Sequence, residues 1–260
     1  MRDVERKRYE LHARTAEFAA RVKSAETILA NGLAVMKRPY ISLSFGKDSM
    51  VMAHFILSRQ PDIPVVYVNC GEWDEWPDTP RVKQAFLQRF PSCHFIELHG
   101  PSIMEAFMRA GWYVQDEEDN ATARKAQHDY GKSLGDVLNA EAKRRGYDGA
   151  FIGIRKEESR NRLRLFRMRG SLYFAEMRGM WACHPLMHWT GCDVWAYICS
   201  HNLPYNELYD LDPRGREMAR NGAMFGSRSA RYGRLVFLQK MYPDWFNRFV
   251  SRFPEVRRFL

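Results

Sequence analysis

Six consecutive residues, Ser44-Phe45-Gly46-Lys47-Asp48-Ser49, gather two hydroxyls, an ammonium, a carboxylate and a glycine between two apolar segments. The apolar run Pro39 to Leu43 has the length of a buried strand, and Met50, Val51, Met52, Phe55 and Ile56 recur at helical spacing. The six residues are therefore a turn from strand into helix. Such a turn presents unpaired backbone N–H groups and the positive end of a helix dipole, which together suit an anion such as phosphate. In this reading Ser44 and Ser49 donate hydroxyls, Phe45 and Gly46 shape the bend, and Lys47 neutralises phosphate charge. Asp48 is placed to hold Mg²⁺, because hard cations take oxygen ligands. Asp48 and Ser49 are equally suited to be plain caps of the helix that follows.

The remaining candidates lie at the ends of other expected strands. Asn69, Cys70 and Gly71 follow the run Ile63 to Asn69 at a strand end and are candidates to line a ligand pocket, with Trp76 placed to shield it. Gly153 and Arg155, with Arg162 further on, follow the run Ala150 to Ile154, where an anionic substrate group would sit. A third such run spans His94 to Leu98, and helices are expected at 48–58, 81–89 and 136–145. Strands alternating with helices predict an α/β protein with a doubly wound, mainly parallel, Rossmann-like sheet covered on both faces by helices. Residues 3–36 read as one or two helices broken at Asn31-Gly32, and 171–183 as a hairpin. The polar stretch 113–135 is either a lid or an exposed helical insertion. The chain divides into an N-terminal helical segment (1–36), a nucleotide-binding domain (37–210) and a basic, aromatic C-terminal extension (211–260).

The composition is ordinary for a soluble globular protein: 45% hydrophobic and 27% charged residues, with no apolar run of membrane-spanning length. The first residues mix both signs of charge and lack the apolar centre of a secretion signal, so a cytoplasmic location is expected, with no membrane partner. None of the five cysteines forms a CxxC pair, which predicts free thiols. The net charge of +9 resides wholly in residues 151–260, where 19 Lys and Arg face 10 Asp and Glu. That excess suits either a nucleic-acid partner or a solvated basic face.

The turn resembles the SGGxDS loop of the N-type ATP pyrophosphatases, with Phe45 replacing the first glycine. Three further stretches resemble the phosphoadenylyl-sulfate reductase branch of that family in the same order along the chain: Trp76-Pro77-Asp78-Thr79, then Gly153-Ile154-Arg155 through Glu158-Ser159 to Arg162, then Pro185 to Asp210. The second also resembles the small subunit of bacterial sulfate adenylyltransferase. The resemblance implies an adenine nucleotide α-hydrolase-like fold and binding of ATP with Mg²⁺. Lys47, Asp48, Arg155 and Arg162 would carry the chemistry.

Two departures shape the functional expectation. Reductases of this family attack sulfur with a cysteine near the C-terminus, whereas the 61 residues after Cys199 contain none. The segment Asn221 to Gly226 resembles a GCxxC element of DNA sulfur-modification relatives, with Ala223 and Gly226 at the cysteine positions, so no iron–sulfur cluster is expected. The expected activity is therefore that of an ATP pyrophosphatase or adenylyl transferase in sulfur metabolism. It would release pyrophosphate and activate an acceptor, with DNA phosphorothioate modification as one version and a cysteine desulfurase as sulfur donor. A homo-oligomer is expected. The alternatives are a thiol-dependent phosphoadenylyl-sulfate or adenylyl-sulfate reductase, using Cys70 or another thiol, and a non-catalytic nucleotide- or nucleic-acid-binding regulator.

Overall fold

The computed structural model describes residues 1–102, 104–106, 121–212, 215–217, 219 and 228–259. Six strands form one sheet: β1 (Pro39–Leu43), β2 (Val65–Asn69), β3 (Phe95–His99), β4 (Gly149–Ile152), β5 (Leu172–Ala175) and β6 (Met180–Cys183). Their order across the sheet is β3-β2-β1-β4-β6-β5. β1 pairs in parallel with β2 and β4, and β4 with β6; the hairpin partners β5 and β6 run antiparallel. The fold is α/β and Rossmann-like. Because β2 lies on one side of β1 and β4 on the other, the chain reverses its direction of winding at β1 and β4. In open α/β sheets that reversal opens a crevice at the C-terminal strand ends. The residues that follow β1 and β4 meet there.

The helices are α1 (Asp3–His12), α2 (Ala16–Val35), α3 (Lys47–Leu57), α4 (Thr79–Arg89), α5 (Ala121–Arg145), α6 (Arg160–Arg169), α7 (Gly191–Ser200), the short α8 (Leu208–Leu211), α9 (Arg228–Met241) and α10 (Pro243–Arg252). The break between the first two falls at 13–15, not at Asn31-Gly32. Thr15 caps α2 by accepting a hydrogen bond from Phe18 N at 3.2 Å. Gly32 stays inside the helix for a packing reason: a Cβ there would lie 2.8 Å from Cys183 Sγ and 3.0 Å from the Phe151 ring. Of the stretch 113–135, residues 113–120 lie outside the described residues, and 121–135 belong to α5.

The described chain forms two compact units that interleave along the sequence. The first comprises 1–67, 80–97 and 139–220. Its core surrounds α3, which is buried on nearly every side, together with Trp189, Trp195 and Phe151. The second comprises 68–79, 98–138 and 221–260. There α10 turns Trp245, Phe246, Phe249 and Val250 inward, and Trp73 packs against Trp245 and Phe249 at ring distances of 5.6 and 5.8 Å. No helix among the described residues is long and apolar enough to cross a membrane.

Candidate active site

The site is built on the turn between β1 and α3, in the first unit. Phe45, not Gly46, takes the left-handed backbone conformation, with φ of +52°; Gly46 caps α3 with an ordinary φ of −74°. A left-handed non-glycine residue costs about 1–2 kcal/mol. Full burial of a phenylalanine returns about 1.5–3 kcal/mol, and Phe45 is wholly buried. Its ring meets those of Tyr67 at 4.8 Å and Phe86 at 6.0 Å, both edge-on. Asn206 Nδ2 donates to its carbonyl at 3.0 Å. The turn is thus held by an aromatic anchor where glycine freedom would otherwise be used.

The two serines close on one another. Ser44 Oγ and Ser49 Oγ are 3.0 Å apart, and Ser49 Oγ also donates to Gly46 O at 3.0 Å. The Lys47 N–H donates to Tyr209 Oη at 3.0 Å. The next two N–H groups of α3, those of Asp48 and Ser49, have no acceptor among the described residues. They form the exposed-dipole end of the helix.

Charge is concentrated beneath these amides. Lys47 is 2% exposed; its Nζ donates to Ala219 O at 2.9 Å and lies 3.2 Å from Asp48 Oδ2. Arg155 is equally buried and donates from Nε to Asp48 Oδ1 at 2.5 Å, and from Nη1 to Trp189 O at 3.3 Å. Its Nη2 makes no hydrogen bond among the described residues. Burial alone would raise the Asp48 pKa, but Lys47 and Arg155 outweigh it and hold the carboxyl below its usual range. Burial likewise works against the Arg155 charge and Asp48 restores it, so Arg155 stays a cation. Both Asp48 oxygens lie against cations, Oδ2 against Lys47 and Oδ1 against Arg155. Among the described residues no group of three His, Cys, Asp or Glu side chains could hold a metal ion.

Arg155 reaches Asp48 because β4 ends at Ile152 beside the first turn of α3. Gly153 lies against that turn, and a Cβ there would sit 2.9 Å from Ser49 Cα and 3.0 Å from Asp48 O and Ser49 N. Those are backbone atoms with little freedom to yield, so Gly153→Ala is expected to lose about 1–3 kcal/mol of stability. It should also weaken adenine-nucleotide binding at least tenfold by displacing the two free amides; urea unfolding and calorimetric titration check both. Arg162, the last of the predicted site residues, is paired instead with Glu158, whose other contact is the Arg155 N–H at 2.7 Å. A cavity of about 540 Å³ opens beside this segment, lined by Lys156, Glu157, Ser159, Arg160 and Leu163.

Asn69, Cys70 and Gly71 belong to the second unit. Asn69 Oδ1 accepts from Gly71 N at 2.8 Å, and Gly71 has φ of +98°. Trp76 is buried in the same unit with Phe237 edge-on at 6.1 Å. The segment Asn221 to Gly226 lies outside the described residues. Asn206, Tyr209 and Ala219 carry no predicted role, yet all three fix the turn. Asn206 stands in the family-like Leu203-Pro204-Tyr205-Asn206 stretch, which was the available signal.

The thiols differ in reactivity. Burial pushes Cys183 up to about 12 and Cys199 up to about 11, and also raises Cys93 and Cys192. These four are protonated near neutral pH and are poor nucleophiles. Cys70, like Cys93 and Cys192, is half-buried.

Comparison with known proteins bears on the activity. The family model of the phosphoadenosine phosphosulfate reductase domain matches residues 38–235, which include the turn, Arg155 and Tyr209. A phosphoadenosine 5′-phosphosulfate reductase of Synechococcus is 27% identical over 207 residues, 77% of this chain and 80% of its own. An adenosine 5′-phosphosulfate reductase of Bacillus cytotoxicus is 28% identical over 170 residues, 65% of this chain and 66% of its own. The chain thus spans just under two thirds of that relative. Among solved structures, the phosphate complex of phosphoadenylyl-sulfate reductase from Candida auris superposes with a TM-score of 0.53 at 18% identity, covering 72% of this chain and 84% of the other. The U34-tRNA thiolase from Methanococcus maripaludis, with its [4Fe-4S] cluster, gives 0.51 at 17%, covering 93% and 78%. These two show the fold.

The matches correct the activity expected from the sequence. The relatives are named as sulfonucleotide reductases, not as ATP pyrophosphatases or adenylyl transferases, and reductase chemistry is the favoured reading where the sequence argument had disfavoured it. That argument rested on a cysteine that is missing.

Proposed function

The chain belongs to the phosphoadenosine phosphosulfate reductase domain family, and on that premise we propose that it binds an adenosine phosphosulfate and delivers its sulfo group to a thiol. The observation that carries the reading is the pair of free amides at Asp48 and Ser49 in the same first turn of α3 that supplies the carboxylate of the buried Arg155–Asp48 ion pair. The amides and Arg155 Nη2 are donors suited to the phosphate–sulfate bridge, where negative charge shifts on to the phosphate as the bond breaks. Asp48 keeps the guanidinium charged and oriented.

The chemistry balances with two thiols as reductant. A thiolate attacks the sulfo sulfur and a sulfur–sulfur bond forms. The bond from sulfur to the bridging oxygen breaks, and its electron pair leaves on the nucleotide phosphate. A second thiolate then attacks the first thiol's sulfur, giving a disulfide and expelling sulfite. Sulfur(VI) is reduced to sulfur(IV) as two thiols are oxidised. Because desolvation raises the pKa of Cys93, Cys183, Cys192 and Cys199, the first nucleophile is Cys70 or a thiol supplied by a separate dithiol donor.

Sulfite release from adenosine 5′-phosphosulfate and from its 3′-phosphorylated form, with a dithiol donor present, tests the reading. Activity that falls at least a hundredfold in Cys70→Ser assigns the nucleophile to this chain. Activity that persists in Cys70→Ser assigns it to the donor. Absence of sulfite from both nucleotides with the wild-type protein would refute the reductase reading.

A further inference from the structure

At the opposite end of the sheet, where the strands begin, lies a second cavity of about 620 Å³. Its rim is formed by Lys37 and Arg38, which lead into β1, and by Arg144 and Arg145, the last residues of α5. His94, just before β3, lies on the same wall, and Asp62 is the one carboxylate in the lining. β1 separates this cleft from the turn at Ser44–Ser49 by five residues of extended chain, on the order of 16 Å. The two are distinct places in the fold.

Gathering four cationic side chains around one opening is unfavourable unless something answers the charge. The fold answers only part of it. Glu141 takes both Arg144, at 2.7 and 2.8 Å, and Arg145. Asp148 is committed elsewhere, since its oxygens accept the backbone N–H groups of Lys37 and Arg38 at 2.7 and 2.8 Å. That bond fixes the two backbones while leaving the side chains free: neither the Lys37 ammonium nor the Arg38 guanidinium has an ion pair or hydrogen bond among the described residues. Arg38 is further aimed by Gly146, whose φ of +68° ends α5; the guanidinium passes 3.4 Å from where a Cβ would stand. The floor between the cations is apolar, formed by Pro39, Pro64 and Tyr147, with Tyr147 packed on Tyr40 at 5.3 Å.

We propose that this cleft is a second ligand site, for a small molecule carrying two linked phosphates on an apolar body, that is, a nucleoside diphosphate. Arg38 and Lys37 hold the phosphates, with the forked guanidinium giving paired hydrogen bonds. The Pro39–Pro64–Tyr147 floor takes the nucleoside, and the cavity volume exceeds what bare pyrophosphate would fill. The proposal is independent of the reductase reading, because it uses none of the residues around Asp48.

Calorimetric titration of the full chain with pyrophosphate and with ADP, in the presence of saturating adenosine 5′-phosphosulfate to fill the site at Asp48, tests it, in the wild type, in Lys37→Ala/Arg38→Ala, and in Arg164→Ala/Arg167→Ala. The last pair lowers the net charge equally, from exposed positions on α6. The expected result is saturable binding of both probes, tighter for ADP. The Kd should rise at least tenfold in Lys37→Ala/Arg38→Ala with an unchanged melting temperature, and should not change in the control. Absence of saturable binding, a rise of less than tenfold, or an equal rise in the control would each overturn it. Equal affinity for pyrophosphate and ADP would overturn the nucleoside part.

Discussion

Asp48→Ala is expected to lower the free energy of unfolding by about 3–5 kcal/mol, because it strands two buried cations. Lys47 and Arg155 are each 2% exposed, and both are aimed at this carboxylate. Removing it leaves the Lys47 ammonium with the Ala219 carbonyl, and the Arg155 guanidinium with the Trp189 carbonyl and a distant Glu157 at 3.7 Å. Neither carbonyl supplies a full negative charge. Urea unfolding at neutral pH measures the loss, and a change under 1 kcal/mol would show that the pair is solvated in solution. The pH dependence has a definite sign. The folded Asp48 pKa is depressed below the ordinary value of an aspartate carboxyl. Its contribution is therefore complete above that value and disappears as pH falls through the folded pKa. The gap between wild type and Asp48→Ala should stay constant from pH 7 to about pH 5 and close at lower pH.

Phe45→Ala carries a comparable penalty, about 3–5 kcal/mol, from loss of a fully buried aromatic and the cavity left behind. The companion variant makes the test specific. At an ordinary buried position glycine is the worse replacement, since it loosens the unfolded chain. At φ of +52° alanine keeps the strain that glycine relieves, by about 1 kcal/mol. Phe45→Gly is therefore expected to be more stable than Phe45→Ala. The reverse order in urea unfolding would contradict the left-handed turn.

Much of this architecture is legible in the residues themselves. The run from Pro39 to Leu43 and the helical spacing from Met50 to Ile56 announce a strand and a helix, because burial on a sheet leaves those periods in the sequence. The place of the site follows from them, since anions collect where such a strand turns into such a helix. Gly32 reads as a break because glycine usually is one; only the approach of Cys183 and Phe151, more than 100 residues away, explains it as packing. The same distance hides Asn206 and Tyr209, whose hydrogen bonds to the turn join positions about 160 residues apart. The charged residues were readable as ligand-binding groups, yet in the fold Lys47, Asp48 and Arg155 satisfy one another first. Side-chain type signals charge, whereas the partner that answers it is a property of the packed chain. The activity was misjudged for a related reason: a thiol that can come from a donor protein need not be written in this chain.

The anchoring of Lys47 sets a limit on how far the polypeptide can be trimmed. Its amide and its ammonium end on Tyr209 and on Ala219, so a fragment stopping short of residue 219 would leave the buried ammonium with Asp48 as its one remaining partner among the described residues and a donor unsatisfied. Limited proteolysis should accordingly yield no soluble core ending before that point, even though the last strand of the sheet is complete at Cys183.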